Sequence, residues 1–306
     1  MTDDERYMKR CLQLAGCGQQ NAKPNPMVGA VIVSADGRII GEGYHVRCGE
    51  GHAEVNAFAS VRAEDEALLP EATMYVSLEP CSHYGKTPPC ADLIIKKGVR
   101  RVVVGCIDEF AEVQGRGIRK LQEAGIEVVV GVLEEECRNL NRRFFTFHSK
   151  QRPYIILKWA QTANGFMDDH CQPVQISTDF TKMLSHKLRA EEDAILIGRV
   201  TDERDKPQLT VREWCGENPK RLVIDHNHPL NLESLHAQQI QSLIVEGGAQ
   251  TLRSFLIQGL WDEIRVETNT LMTVSDGTRA PQVPANARVV SSVQYDGNTI
   301  VTFRQQ

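Results

Sequence analysis

Twice along the chain, short apolar runs that read as strands alternate with stretches that read as helices. That alternation restricts the fold to α/β layers in which at least part of the sheet is parallel. In the first series, "MVGAVIV" from Met27 and "RIIGEGYH" flank "SADG", and Asp36-Gly37 between two strand-like runs is a hairpin signal. A helix is expected from His52 to about Ala63, then the strand "ATMYVSL", the helix "CADLIIKKG" closed by Gly98 and the strand "RRVVVGCID". "GIRKLQEAG", with Gly125 at its stop, and "IEVVVGVL" repeat the theme, and "EEECRNLNRRFFTFHSK" reads as one closing helix. After the junction "QRP" at Gln151 to Pro153, a second series runs through "YIILKWA", the helix "DFTKMLSHKLRAEE" and the strands "DAILIG", "RLVIDH" and "SLIVE". It ends with the helix "AQTLRSFLIQG" and the strand "WDEIRVE".

A chain of 306 residues is too long for one core and suits two domains of roughly 100 to 200 residues each, placed at 1–150 and 151–306. With 41% hydrophobic and 25% charged residues the composition is globular. A net charge of -5 argues against a general nucleic-acid binder, which needs a basic surface. The amino terminus has no apolar signal core and no run of about 18 apolar residues occurs, so a cytoplasmic protein without a membrane span is expected. Nine cysteines, an odd number, fit reduced thiols better than a disulfide framework.

Two short stretches carry chemistry: "HAEVNAF" from His52, and "EPCSHYGKTPPC" downstream. Zn²⁺ prefers imidazole nitrogen and thiolate, and a catalytic site keeps three protein ligands and an open position; His52, Cys81 and Cys90 supply that set. The metal lowers the pKa of its water toward neutrality. Glu54, two residues after a ligand at a helix start, is placed to take that proton and hand it to a leaving amine. H-x-E with P-C-x-x-C marks zinc nucleobase deaminases. Here eight residues, "SHYGKTPP", replace the usual two between the cysteines. Cys90 opens a helix, where the dipole favours its thiolate. A closed structural site with His83 as fourth ligand, leaving Glu54 idle, is the alternative.

Taken together, "NPMVGAVIV", "GEGYH", "HAEVNA" and "EPCSHYGKTPPC" resemble the deaminase half of the bifunctional riboflavin-biosynthesis deaminase and reductase. "LKWAQTANG", "KLRAEEDAILIG", "PQLTVR" and "LIVEGGAQ" are similar to its reductase half. The resemblance implies a cytidine-deaminase-like α/β/α layer fold followed by a dihydrofolate-reductase-like α/β fold, with zinc in the first and NADPH in the second. It implies deamination of a diaminopyrimidinone carrying a phosphoribosylamino group, then reduction of the ribose to a ribityl chain. Asn25 would hydrogen-bond the ring, and His83 and Lys86 the phosphate. In the second half Lys158, inside an apolar strand, would polarise the sugar end that receives hydride. Arg189, Arg212, Leu209 and Glu246 would contact substrate, and Ala160, Thr201, Asp205, Gly247 and Gly248 the cofactor. A homo-oligomer is implied as well.

The chain departs from the family at "TDERDKP", which is far more charged than the family's run and has Lys206 at a position usually acidic or Asn. It is also shortened between about residues 226 and 240. A deaminase carrying a degenerate, nucleotide-sensing second domain, or a nucleobase deaminase of another specificity, are the competing readings. The latter would predict a short Cys-x-x-Cys and no second α/β domain.

Overall fold

The structure, a computed structural model, describes residues 1–84, 88–108 and 115–305 and divides into two compact units, Met1–Lys150 and Gln151–Gln306.

The first unit contains α1 (Asp3–Gly16), β1 (Gly29–Val33), β2 (Ile39–Tyr44), α2 (Ala53–Ala59), a 3₁₀ stretch (Ala63–Glu71), β3 (Thr73–Leu78), α3 (Cys90–Lys97), β4 (Arg101–Cys106), α4 (Arg116–Glu123), β5 (Glu127–Val130), α5 (Glu134–Leu140) and α6 (Arg142–Lys150). The five strands lie in the order β2-β1-β3-β4-β5. The hairpin pair and β1-β3 are antiparallel, whereas β3-β4-β5 are parallel. Strand residues alternate between two apolar layers. Ala30, Ile32, Met74, Val76, Val102 and Val104 pack under α2, α3 and α4, and Val31, Val33, Tyr75 and Val103 under α1 and the last two helices. This is the expected α/β/α layering.

Two expectations about helices need correction. α2 stops at Ala59 rather than near Ala63, because the Ser60 hydroxyl turns back to donate to the Ala57 carbonyl at 2.8 Å and accepts from the Glu42 amide at 2.8 Å. The closing helix is two helices broken at Asn141, whose buried side chain binds the Met27 backbone. Gly43 allows α2 to lie close against the hairpin, since a Cβ there would fall 2.3 Å from the Ala57 amide nitrogen.

The second unit contains β6 (Tyr154–Thr162), α7 (Asp179–Glu191), β7 (Ala194–Gly198), α8 (Arg199–Asp205), β8 (Lys220–Ile224), α9 (Leu232–Ala237), β9 (Ser242–Val245), α10 (Ala249–Ile257), β10 (Glu263–Asn269), β11 (Ala287–Tyr295) and β12 (Asn298–Gln305). Seven strands pair in the order β11-β12-β10-β6-β9-β7-β8, parallel from β10 to β8 and antiparallel in the carboxy-terminal hairpin. Every inner strand is paired on both sides. The stretch after β8, 225–231, leads from the sheet edge into α9 and on to β9. Sequence periodicity missed α8, α9 and the β11-β12 hairpin. β11 is exposed along nearly its whole length and so lacks the half-buried alternation that marks a strand. No helix among the described residues is long and apolar enough to cross a membrane.

Candidate active sites

In the first unit the helix starts do most of the positioning. His52 is the N-cap of α2 and Glu54 lies in its first turn, while Cys90 is the first residue of α3. Cys81 follows β3 through Glu79 and Pro80. His52 Nδ1 is 3.6 Å from Cys81 Sγ and 3.4 Å from Cys90 Sγ, and the three donor atoms all lie within 4.8 Å of one another. One nitrogen and two sulfurs at such spacing fit a zinc ion with an open fourth position. His83 is exposed and outside this cluster, so it does not close the site. Lys86 lies outside the described residues.

The two thiols of the cluster titrate in opposite directions. The Cys90 hydrogen bond, foremost, pulls the Cys81 thiol down, with His52 adding to the effect, whereas Cys81 and burial push the Cys90 thiol up, against the expectation from its place at a helix start. The Cys90 amide also donates to Cys81 Sγ at 3.3 Å. Glu54 is 3% exposed, and burial, with the negative Cys81 sulfur next, raises its carboxyl to about 7. A group so tuned suits proton transfer near neutral pH.

Asn25 Nδ2 is 3.1 Å from His45 Nε2, and His45 Nδ1 is 3.2 Å from the Gly51 carbonyl, so the ring donates at Nδ1 and accepts at Nε2. The buried His45 stands edge-on to His52 at 5.3 Å, linking the Asn25 segment to the ligand helix. Sequence reasoning quoted "GEGYH" without assigning its histidine a place. Glu79 was missed as well. Its buried carboxylate accepts from the Gly115 and Gly117 amides at 2.9 Å each, which ties the Pro80-Cys81 turn to the start of α4. An acidic residue directly before Pro-Cys, at the end of an apolar strand, was the available signal.

In the second unit Lys158 lies on β6, inside the sheet between β9 and β10, with its side chain 11% exposed. Its Nζ is 3.9 Å from Glu246 Oε1, and Glu246 also receives Arg189 at 2.7 and 3.3 Å. Burial alone would raise the Glu246 carboxyl, but the Lys158 and Arg189 charges hold it below the ordinary carboxylate range. A cavity of about 470 Å³ is lined by Lys158, Ala160, Lys182 and Ser177 among others. A second of about 910 Å³ is lined by Gly198, Thr201 and Gly248, and Asp205, Glu246 and Gly247 line both.

The Gly248 amide donates to Thr201 Oγ1 at 3.0 Å, and a Cβ on Gly247 would lie 2.7 Å from Thr251 Cβ. Such a glycine-lined mouth at the start of α10 fits the phosphates of a dinucleotide. Leu209, Arg189 and Arg212 line neither of these cavities. They meet on the segment 209–213, where Arg189 Nη1 donates to the Thr210 carbonyl at 3.4 Å and Arg212 Nη1 to its hydroxyl at 3.2 Å.

A zinc-type deaminase unit joined to a reductase-type unit whose two cavities share one acidic wall defines a two-domain class. Residues 1–106 match the model of the cytidine and deoxycytidylate deaminase zinc-binding region, and 153–233 with 227–280 match the RibD C-terminal domain. The riboflavin biosynthesis protein RibD of Aquifex aeolicus is 38% identical over 86% of this chain and 86% of that protein. The RibD of Escherichia coli K12 is 44% identical over 68% of this chain and 56% of its own length. A solved deaminase/reductase from Thermotoga maritima superposes with a TM-score of 0.89 at 34% identity, covering 99% of both chains. The RibD of Acinetobacter baumannii gives 0.87 at 29%, again covering 99% of both.

The chain belongs to the riboflavin biosynthesis protein RibD family. It is accordingly a bifunctional deaminase and reductase of riboflavin biosynthesis, for which zinc and NADPH are the fitting cofactors.

Proposed function

We propose that the first unit hydrolytically deaminates a diaminopyrimidinone bearing a phosphoribosylamino group, and that the second reduces the ribose of the product to a ribityl chain. The Thermotoga relative is named as both a deaminase and a reductase. The observation that carries the reading is the buried Glu54 carboxyl beside a three-donor His-Cys-Cys cluster with an open position.

His52, Cys81 and Cys90 would hold a zinc ion, which would supply activation of water as a nucleophile. Glu54 takes the proton released there and delivers it to the departing amine, which leaves as ammonia. Asn25, oriented by His45, pairs with the ring, and His83 and Lys86 take the substrate phosphate. In the second unit NADPH, held at the glycine-lined mouth, would supply the hydride. Lys158 donates toward the sugar end that receives it, with Glu246 holding the ammonium in place. Gly247, Gly248, Thr201, Asp205 and Ala160 hold the cofactor, and Arg189, Arg212 and Leu209 the substrate.

This reading places the enzyme in the cytoplasm as a homo-oligomer; the exposed Val289, Val290 and Val293 on edge strand β11 support self-association, which light scattering measures directly. The decisive experiment gives the purified protein the deaminated phosphoribosylamino-pyrimidinedione and follows NADPH oxidation, with ammonia release from the diamino substrate measured alongside. Turnover of both supports the proposal, and ammonia release without NADPH oxidation removes its second half.

A further inference from the structure

On α7 the side chains of Lys182, His186 and Arg189 follow one another at helical spacings of four and three and so share one face. That face meets the segment 209–213, which carries an anion of its own. Glu213 Oε1 lies 2.8 Å from Lys182 Nζ, 3.8 Å from His186 Nε2 and 3.9 Å from Arg212 Nε. Arg189 and Arg212 reach the same segment at Thr210. Lys182 also lines the 470 Å³ cavity that contains Lys158, so the charge cluster sits at the rim of the reducing site. Lys182, His186 and Arg212 thus converge on Glu213, while Arg189, whose carboxylate partner is Glu246, reaches the same segment through the Thr210 carbonyl.

We propose that Glu213 occupies the substrate-phosphate position of the reductase as an internal counter-anion, which a phosphate-bearing ligand displaces. This rests on the reading that the second unit's substrate is phosphorylated. A phosphate monoester carries nearly two charges and three strong acceptor oxygens, against one charge on a carboxylate, so the exchange favours the ligand. The guanidinium fork of Arg212 pairs better with phosphate than with a single carboxylate oxygen at 3.9 Å. A sugar without phosphate leaves Glu213 in place and gains nothing from the cluster. Glu213 therefore sets selectivity: it keeps the basic face neutral toward weak anions and raises the threshold that a true substrate must overcome.

The test is calorimetric titration of the full chain with ribose 5-phosphate and with ribose. In Glu213→Gln, ribose 5-phosphate should bind about three- to tenfold more tightly, because the competing charge is gone while the cations remain. Glu213→Asp, which keeps the charge, should stay near wild type, and ribose should be unaffected in both. Arg212→Ala provides the second arm. If it weakens ribose 5-phosphate binding while Glu213→Gln does not tighten it, the phosphate site stands and the counter-anion role is overturned. If neither substitution changes binding, the phosphate lies elsewhere and both the role and the underlying reading of Arg189 and Arg212 fall.

Discussion

The Asn141 side chain accepts from the Met27 amide and donates to the Met27 carbonyl, each at 2.8 Å, across 114 residues of sequence. This pair interrupts what would otherwise be one helix and fixes the strand entry that carries Asn25. Removing it strands two backbone groups. Asn141→Ala is expected to destabilise the first unit by about 2 to 4 kcal/mol, at roughly 1 kcal/mol per hydrogen bond with a further penalty for the groups left unpaired. Urea titration measures this, and a change within error would mean that water replaces the side chain at no cost.

Glu54 touches the reacting atoms in the proposed deamination, whereas the zinc cluster does not include it. Glu54→Gln should therefore lower ammonia release by about 10²- to 10⁴-fold and leave metal content, read by mass spectrometry, at the wild-type level. Loss of metal in this variant would mean that the carboxylate supports the ligands instead. Chelation of the wild type should abolish ammonia release and spare NADPH oxidation, because neither cavity of the second unit contains any of the three ligands.

Lys158→Met keeps most of the buried stem and removes the charge. NADPH oxidation should fall by about 10²- to 10⁴-fold, with ammonia release unchanged. Glu246 retains Arg189, so the fold of the site should persist. Unchanged oxidation would show that another group serves the sugar end.

Asp4 accepts from Arg101 Nη1 and Nη2 at 2.9 Å each and from Tyr75 Oη at 2.8 Å. The Arg101 hydrogen bond, foremost, holds its carboxyl below the ordinary range. The unfolded chain thus takes up a proton near the usual Asp value of about 3.9, before the folded one does. The stabilisation is present above that value and is lost as pH falls through the lower folded pKa. Asp4→Asn should cost about 1 kcal/mol near neutrality, with the difference closing in acid. Urea unfolding at pH 7 and at pH 3 checks it; a gap independent of pH would assign the effect to packing.

Much of the first site was legible in the sequence because its determinants are local. His52 and Glu54 need only a helix start, and Cys90 only the next one. His45 was less legible. Its role depends on Asn25 and Gly51 approaching it from two other segments, and a buried histidine in a strand-like run has no periodic signature of its own. The same holds in the second unit, where Lys158 stood out as a charge in an apolar run, but its pairing with Glu246 comes from strand order.

Residue type and short-range spacing by themselves determined the α/β class and singled out His52, Cys81 and Cys90, which the structure brings together, with the buried Glu54 beside them. These follow from what one turn of helix or one strand can present, and from which donors a metal accepts. Tertiary structure alone decided that β6 lies inside its sheet and that two cavities share the Glu246 wall. It also decided that Asn141 breaks a helix to hold Met27 and that Glu213 faces the basic side of α7. Each of these joins segments far apart in the chain. Such contacts are selected by the packing of whole layers, which no local pattern of apolar residues specifies.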